Sequence, residues 1–145
     1  LFRFPIMGWL RRQLGVVPRG REGGAVGALR KGLKILREGG LLAVFPEGTR
    51  SPDGEIRQAK AGIGFLVARA GVPVIPAHLR GSFAAWPKGA RFPRPRPVSL
   101  VYGPPITPAE IAELAAGEQP YERITALVMD RIRALRDATE PRPGS

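Results

Sequence analysis

Short apolar runs alternate with amphipathic stretches along this chain, and no other feature restricts its fold as much. Val16-Val17-Pro18, Leu41-Leu42-Ala43-Val44-Phe45 and Val72-Pro73-Val74-Ile75-Pro76-Ala77-His78-Leu79 are short and bordered by glycine, proline or charge. Runs of this kind read as buried strands, and the prolines of the third place it at a sheet edge or strand end. Between them, Ala25 to Glu38 repeats Val26, Leu29, Leu33 and Leu36 at three- and four-residue steps, with Arg30, Lys31, Lys34 and Arg37 on other faces. That is the single apolar stripe of a surface helix, and Gly39-Gly40 stops it. Residues 62–70 make a second helix through Ile63, Phe65, Leu66 and Val67, ending at Gly71. Val98-Ser99-Leu100-Val101-Tyr102 is a further strand. Thr107-Pro108-Ala109-Glu110 has the form of a capping box, and Tyr121 to Ala138 is a last helix through Ile124, Leu127, Val128, Ile132 and Leu135. The order strand–helix–strand–helix–strand–strand–helix predicts an α/β fold: a mixed, partly parallel sheet with helices packed on it.

The run at 41–45 leads into the most reactive-looking stretch, Phe45-Pro46-Glu47-Gly48-Thr49-Arg50-Ser51. A strand ending in such a cluster carries it to the carboxyl edge of a sheet, where open α/β folds bind ligands. Arg50 is a planar, permanently charged fork suited to a phosphate. Gly48 lets a ligand approach the backbone. Thr49 and Ser51 offer hydroxyls, and Glu47 accepts hydrogen bonds from glycerol or sugar hydroxyls, or from Arg50. The same residues are equally compatible with a polar turn closed by an internal Glu47–Arg50 pair.

The 145 residues suit one domain spanning 1–145, with residues 139–145 as a flexible tail. The chain begins at Leu1 rather than methionine, so it is expected to be N-terminally incomplete, an internal fragment or a late start. There is no cysteine and a single histidine, His78, which excludes a disulfide framework and cysteine- or histidine-rich metal sites. No apolar run approaches the roughly 20 residues that cross a bilayer, so no transmembrane helix is expected.

Charge is uneven. Residues 1–96 carry 18 basic and 5 acidic side chains and the remainder 5 and 7, for a net +11. Such a balance attracts polyanions such as lipid headgroups, phosphorylated ligands or nucleic acid, and is also compatible with a solvated basic face. Nucleic acid is not expected as a partner: no helix-turn-helix, zinc finger or RNP-like string is present. Residues 1–14 mix Phe2, Phe4, Ile6, Trp9 and Leu10 with Arg11 and Arg12, which fits an interfacial helix or a terminal helix packed on its own core. Residues 80–96 hold Arg80, Lys88, Arg91, Arg94 and Arg96 with Phe83, Trp86 and Phe92 and no acid, in a proline-rich surface loop.

Phe45-Pro46-Glu47-Gly48-Thr49-Arg50-Ser51 resembles the glycerol-phosphate-binding block of the 1-acylglycerol-3-phosphate acyltransferases (lysophosphatidic acid acyltransferases). Gly15-Val16-Val17-Pro18-Arg19 resembles the family's block of a glycine, a short strand and an arginine. Lys60-Ala61-Gly62 stands where the family has a basic residue two before a glycine, and Val72-Pro73-Val74-Ile75-Pro76 resembles its last, hydrophobic block. The resemblance covers most of residues 8–82. It implies that Arg50 and Arg19 bind the acceptor phosphate, that Glu47 orients glycerol hydroxyls or holds Arg50, and that Phe45, Pro46, Gly48, Thr49, Ser51 and Lys60 shape the site. Lysophosphatidic acid would be the acceptor and acyl-CoA or acyl-carrier protein the donor, a co-substrate, with no cofactor and no metal. The protein would be peripheral, on an anionic membrane surface at the cytoplasmic face, held there by the first-helix arginines and the Arg-rich loop. One element of the family pattern is missing. The family's general base is a histidine followed five positions on by an orienting aspartate, and no such pair occurs here, since five positions after His78 stands Phe83. These residues are therefore expected to hold the acceptor site without the base, as part of an acyltransferase or as a lipid-phosphate-binding module of the same fold.

Overall fold

The computed structural model describes residues 24–60 and 62–139. The chain divides into two compact units, Leu1–Leu42 and Ala43–Ser145. The expected helix at 1–14, the strand at 16–18 and residues 140–145 of the tail lie outside the described residues.

In the first unit, helix α1 spans Gly24–Arg37. Its end is built by the glycine pair. Gly40 N–H donates to the Ile35 carbonyl at 2.9 Å and Gly39 N–H to the Leu36 carbonyl at 3.2 Å, with Gly39 at φ +79°. That is the Schellman arrangement, which needs a left-handed residue and so favours glycine. Lys34 and Arg37 in the last turn complement the negative end of the helix dipole.

The second unit holds the described core. Helix α2 (Ile63–Ala70), strand β1 (Ala77–Arg80), the one-turn helix α3 (Ser82–Ala85), strand β2 (Ser99–Tyr102), helix α4 (Pro108–Ala115) and helix α5 (Pro120–Thr139) follow in order. Helices α2, α4 and α5 pack on one another and β1 lies against α5. Val67, Ile106, Ile111, Ile124 and Val128 form the buried cluster, flanked by Ile63, Val74, Leu114, Leu127 and Ile132. Each fully buried side chain of this size contributes about 1.5–3 kcal/mol relative to exposure.

Two close contacts register the helices. Gly64 lies against the Tyr121 carbonyl oxygen, and a Cβ there would overlap it. Gly64 N–H also donates to Thr125 Oγ1 at 3.1 Å, and that hydroxyl donates onward to the Tyr121 carbonyl at 2.7 Å. At the start of α4 the capping box is complete: Glu110 N–H donates to Thr107 Oγ1 at 3.2 Å and Thr107 N–H to Glu110 Oε2 at 2.8 Å. Arg131 of α5 pairs with the same carboxylate at 3.2 Å. The Thr107 N–H, the Thr107 hydroxyl and then Arg131 hold Glu110 below the usual carboxylate range.

The fold is mixed α/β, and the described residues depart from the expected sheet at three points. β1 and β2 pair antiparallel, Ala77 opposite Tyr102 and Arg80 opposite Ser99, and no parallel pair occurs among the described residues. Parallel neighbours need a crossover, whereas the 81–98 connection holds only the single turn α3 and returns the chain to its starting end. Gly81, at φ +80°, approaches the Pro97 carbonyl so closely that only glycine fits, which pinches this connection at its base. The expected long run at 72–79 is a strand only from Ala77; before it, Val74 and Ile106 form an isolated antiparallel bridge. The expected buried strand Leu41–Phe45 is not a strand: Leu41 is 88% and Phe45 73% exposed, and no described backbone pairs with it. A strand requires a neighbour's ladder, which an apolar run does not supply by itself.

Candidate functional site

Residues 45–60 form a loop held at several points. Gly48 N–H donates to the Phe45 carbonyl at 3.0 Å, a tight turn in which Gly48 takes φ +66°. Lys60 N–H donates to the Pro46 carbonyl at 2.9 Å and joins the two ends of the loop. Arg57 N–H donates to Glu47 Oε2 at 2.9 Å. The Lys60 side chain runs along the bare face of Gly48, where a Cβ would come within 2.9 Å of its Cδ. Pro46, Glu47, Gly48 and Lys60 are thus gathered at the loop's neck.

A second clasp orders the outer half. Ser51 Oγ donates to Asp53 Oδ1 at 2.8 Å and accepts from Gly54 N–H at 2.9 Å. Glu55 N–H donates to Asp53 Oδ1 at 3.2 Å and Arg57 Nη2 to Asp53 Oδ2 at 2.8 Å. The Ser51 hydroxyl first, then the Glu55 N–H and Arg57, hold the Asp53 carboxyl below its usual range. Arg136 of α5 pairs with Glu55 at 3.0 Å and ties the loop to the core.

Thr49 and Arg50 are exposed. The guanidinium carbon of Arg50 lies 5.0 Å from the centre of the Trp86 ring, and among the described residues Arg50 has no acidic partner. An aromatic face, unlike a carboxylate, does not occupy the in-plane donors of a guanidinium.

The expected roles divide accordingly. Glu47 does not hold Arg50; its Oε2 serves the Arg57 N–H, so the closed Glu47–Arg50 turn is not formed and the carboxylate shapes the loop. Ser51 is spent within the Asp53 clasp. Phe45 is exposed rather than packed, and Arg19 lies outside the described residues. His78 is a half-buried member of β1 opposite Val101. Among the described residues no group of His, Cys, Asp and Glu is arranged to hold a metal. Three contributors carry no strong local signal: Arg57, Asp53 and Trp86. Trp86 stands out in the sequence only as one aromatic of an acid-free loop, yet it reaches the motif from 36 positions away.

Comparison with known proteins defines the class to which the chain belongs. Residues 1–80 match the family model described as Acyltransferase, and the chain belongs to that family. A 1-acyl-sn-glycerol-3-phosphate acyltransferase of Pseudomonas aeruginosa is 34% identical over 150 residues, covering 97% of this chain and 58% of the relative. A chloroplastic enzyme of the same name from Brassica napus is 36% identical over 92 residues, 62% of this chain and 27% of the relative. The crystal structure of the 1-acyl-sn-glycerophosphate (LPA) acyltransferase PlsC from Thermotoga maritima superposes with a TM-score of 0.69 at 28% identity, over 96% of this chain and 55% of that one. The chain thus spans between about a quarter and three fifths of the length of these relatives.

Proposed function

We propose that the protein transfers a fatty acyl group from acyl-CoA or acyl-carrier protein to lysophosphatidic acid, giving phosphatidic acid, and that these residues supply its acceptor-binding part. The observation that carries this reading is Arg50, exposed and without an acidic partner among the described residues, on a loop whose neck is closed by Lys60 on Pro46. The names of the relatives support the same chemistry.

In this reading Arg50 takes the acceptor phosphate as a charge-assisted pair, Lys60 adds a second cation at Gly48, and Arg19 adds a third. Thr49 offers its hydroxyl beside them. Holding the phosphate fixes the glycerol hydroxyl, which is the orientation term of catalysis. The hydroxyl proton passes to a base, the oxygen bonds the thioester carbonyl carbon, and the carbon–sulfur bond breaks with release of the thiol. The histidine–aspartate pair that performs the base step in the family is not among these 145 residues, and His78 lacks the aspartate partner. The same geometry is compatible with a second reading, a module that binds lipid phosphate without chemistry. The basic composition of residues 1–96 supports a peripheral position on anionic lipid at the cytoplasmic face. No helix among the described residues is long and apolar enough to cross a membrane.

The test is initial-rate kinetics of the full-length protein with varied lysophosphatidic acid. Losing a charge-assisted hydrogen bond to phosphate costs about 1.5–3 kcal/mol, so Arg50→Ala lowers the acceptor-dependent rate constant by one to two decades and leaves donor dependence in place. An unchanged acceptor dependence refutes the assignment. Protection of the fold by lysophosphatidic acid without acyl-CoA consumption selects the second reading.

A further inference from the structure

We propose that Trp86 is a positioning residue for the acceptor site: its indole face holds the Arg50 guanidinium in the orientation that receives the phosphate. This rests on the acyltransferase reading above and extends the site to the connection between β1 and β2.

Arg50 needs a partner that restrains it without neutralising it. A carboxylate would occupy the in-plane N–H donors that a phosphate requires. An aromatic face restrains the guanidinium from one side and leaves its edges open. Trp86 offers such a face at 5.0 Å, and between Glu55 and Glu110 the chain has no acidic residue to compete for the cation.

The ring is itself fixed. Trp86 Nε1–H donates to the Ala90 carbonyl at 3.1 Å, and Trp86 N–H donates to the Ser82 carbonyl at 2.9 Å. Arg94 N–H donates to the Ala85 carbonyl at 2.7 Å and folds the rest of the connection back onto α3. A second aromatic of the same turn touches the same loop. At Gly54, where φ is +93°, a Cβ would come within 3.2 Å of the Phe83 ring. Phe83 and Trp86 therefore meet the motif loop at two points, one on its backbone and one on its cation. The other cation–π pairs, Arg69 with Phe65 and Arg91 with Phe92, join near neighbours in sequence and fix no distant loop.

The experiment uses the full-length protein, with lysophosphatidic acid varied at fixed acyl-CoA. Stacks at exposed sites correspond to about a two- to fivefold change in an equilibrium. Trp86→Leu raises the acceptor KM by that factor with the donor KM unchanged, Trp86→Phe restores most of it, and Trp86→Leu adds nothing in an Arg50→Ala background. Equal defects in Trp86→Leu and Trp86→Phe, or an additive double variant, overturn the proposal. If Arg50→Ala raises the acceptor KM and Trp86→Leu does not, the proposal alone falls. If Arg50→Ala leaves it unchanged, the acyltransferase role of Arg50 falls with it. A second measurement needs no variant at Trp86. With Trp9 and every other tryptophan replaced by phenylalanine, glycerol 3-phosphate shifts the Trp86 emission saturably, and Arg50→Gln abolishes the shift. No shift with the arginine present overturns the proposal.

Discussion

Gly64 lies so close to the Tyr121 carbonyl oxygen that no side chain fits between helices α2 and α5. The Gly64 N–H donates to the Thr125 hydroxyl, so a bare backbone approach and one side-chain hydrogen bond together lock the helices in register.

Gly64→Ala tests this lock. Helix propensity alone favours alanine by about 1 kcal/mol. The overlap is with main chain, which relieves it only if the helices separate and the Thr125 bond lengthens. Overpacking of this kind costs about 1–3 kcal/mol, sometimes more, so the clash wins. Urea denaturation is expected to show net destabilisation. Equal or greater stability would contradict the contact.

The capping box gives a milder prediction. Thr107→Ala removes the acceptor for Glu110 N–H, and loss of such a cap costs about 0.5–2 kcal/mol. Thr107→Ser keeps the oxygen and most of the stability. The pair of variants, compared by urea midpoint, separates capping from the loss of the threonine methyl.

Acid sensitivity follows from Asp53 and Glu110. Both carboxyls are lowered in the folded state, Asp53 chiefly by the Ser51 hydroxyl and Glu110 chiefly by the Thr107 N–H. A lowered folded pKa means that the unfolded chain binds the proton more readily. Their contribution is complete above the ordinary carboxylate range and is lost as pH falls from about 4 downward through the folded values. Asp53→Asn is expected to flatten that part of the stability–pH curve. A curve of unchanged slope there would show that the clasp does not bear on stability.

Membrane attachment is tested by co-sedimentation of the full-length protein with phosphatidylglycerol and phosphatidylcholine vesicles at two salt concentrations. Binding to the anionic vesicles only, weakened by salt, is the expected result, because exposed charges act over about 8 Å at physiological ionic strength. Equal binding to both lipids would argue against a charge-driven surface.

What was legible in the sequence was local. The Schellman end at Gly39-Gly40, the capping box at Thr107 and the span of α5 each depend on residues within a turn or two of one another. What was not legible depends on distant partners. Leu41–Phe45 has the composition of a strand but no described ladder to join. Glu47 has two arginines in its own loop, Arg50 and Arg57, and residue type does not decide between the nearer side chain and the farther backbone N–H. Trp86 meets Arg50 from 36 positions away, at the end of the α3 turn in a connection that is pinched at Gly81.

The bond from Lys60 to Pro46, with the ion pair from Arg136 to Glu55, has a consequence for entropy. Ordering a residue's backbone costs about 1–2 kcal/mol. In a slack loop, much of that cost would be charged against every ligand that arrived. Here it has already been met by folding. In the proposed reading, an anion entering beside Gly48 would only select rotamers of Arg50 and Lys60, and its affinity would report the chemistry of two cations rather than the folding of a loop.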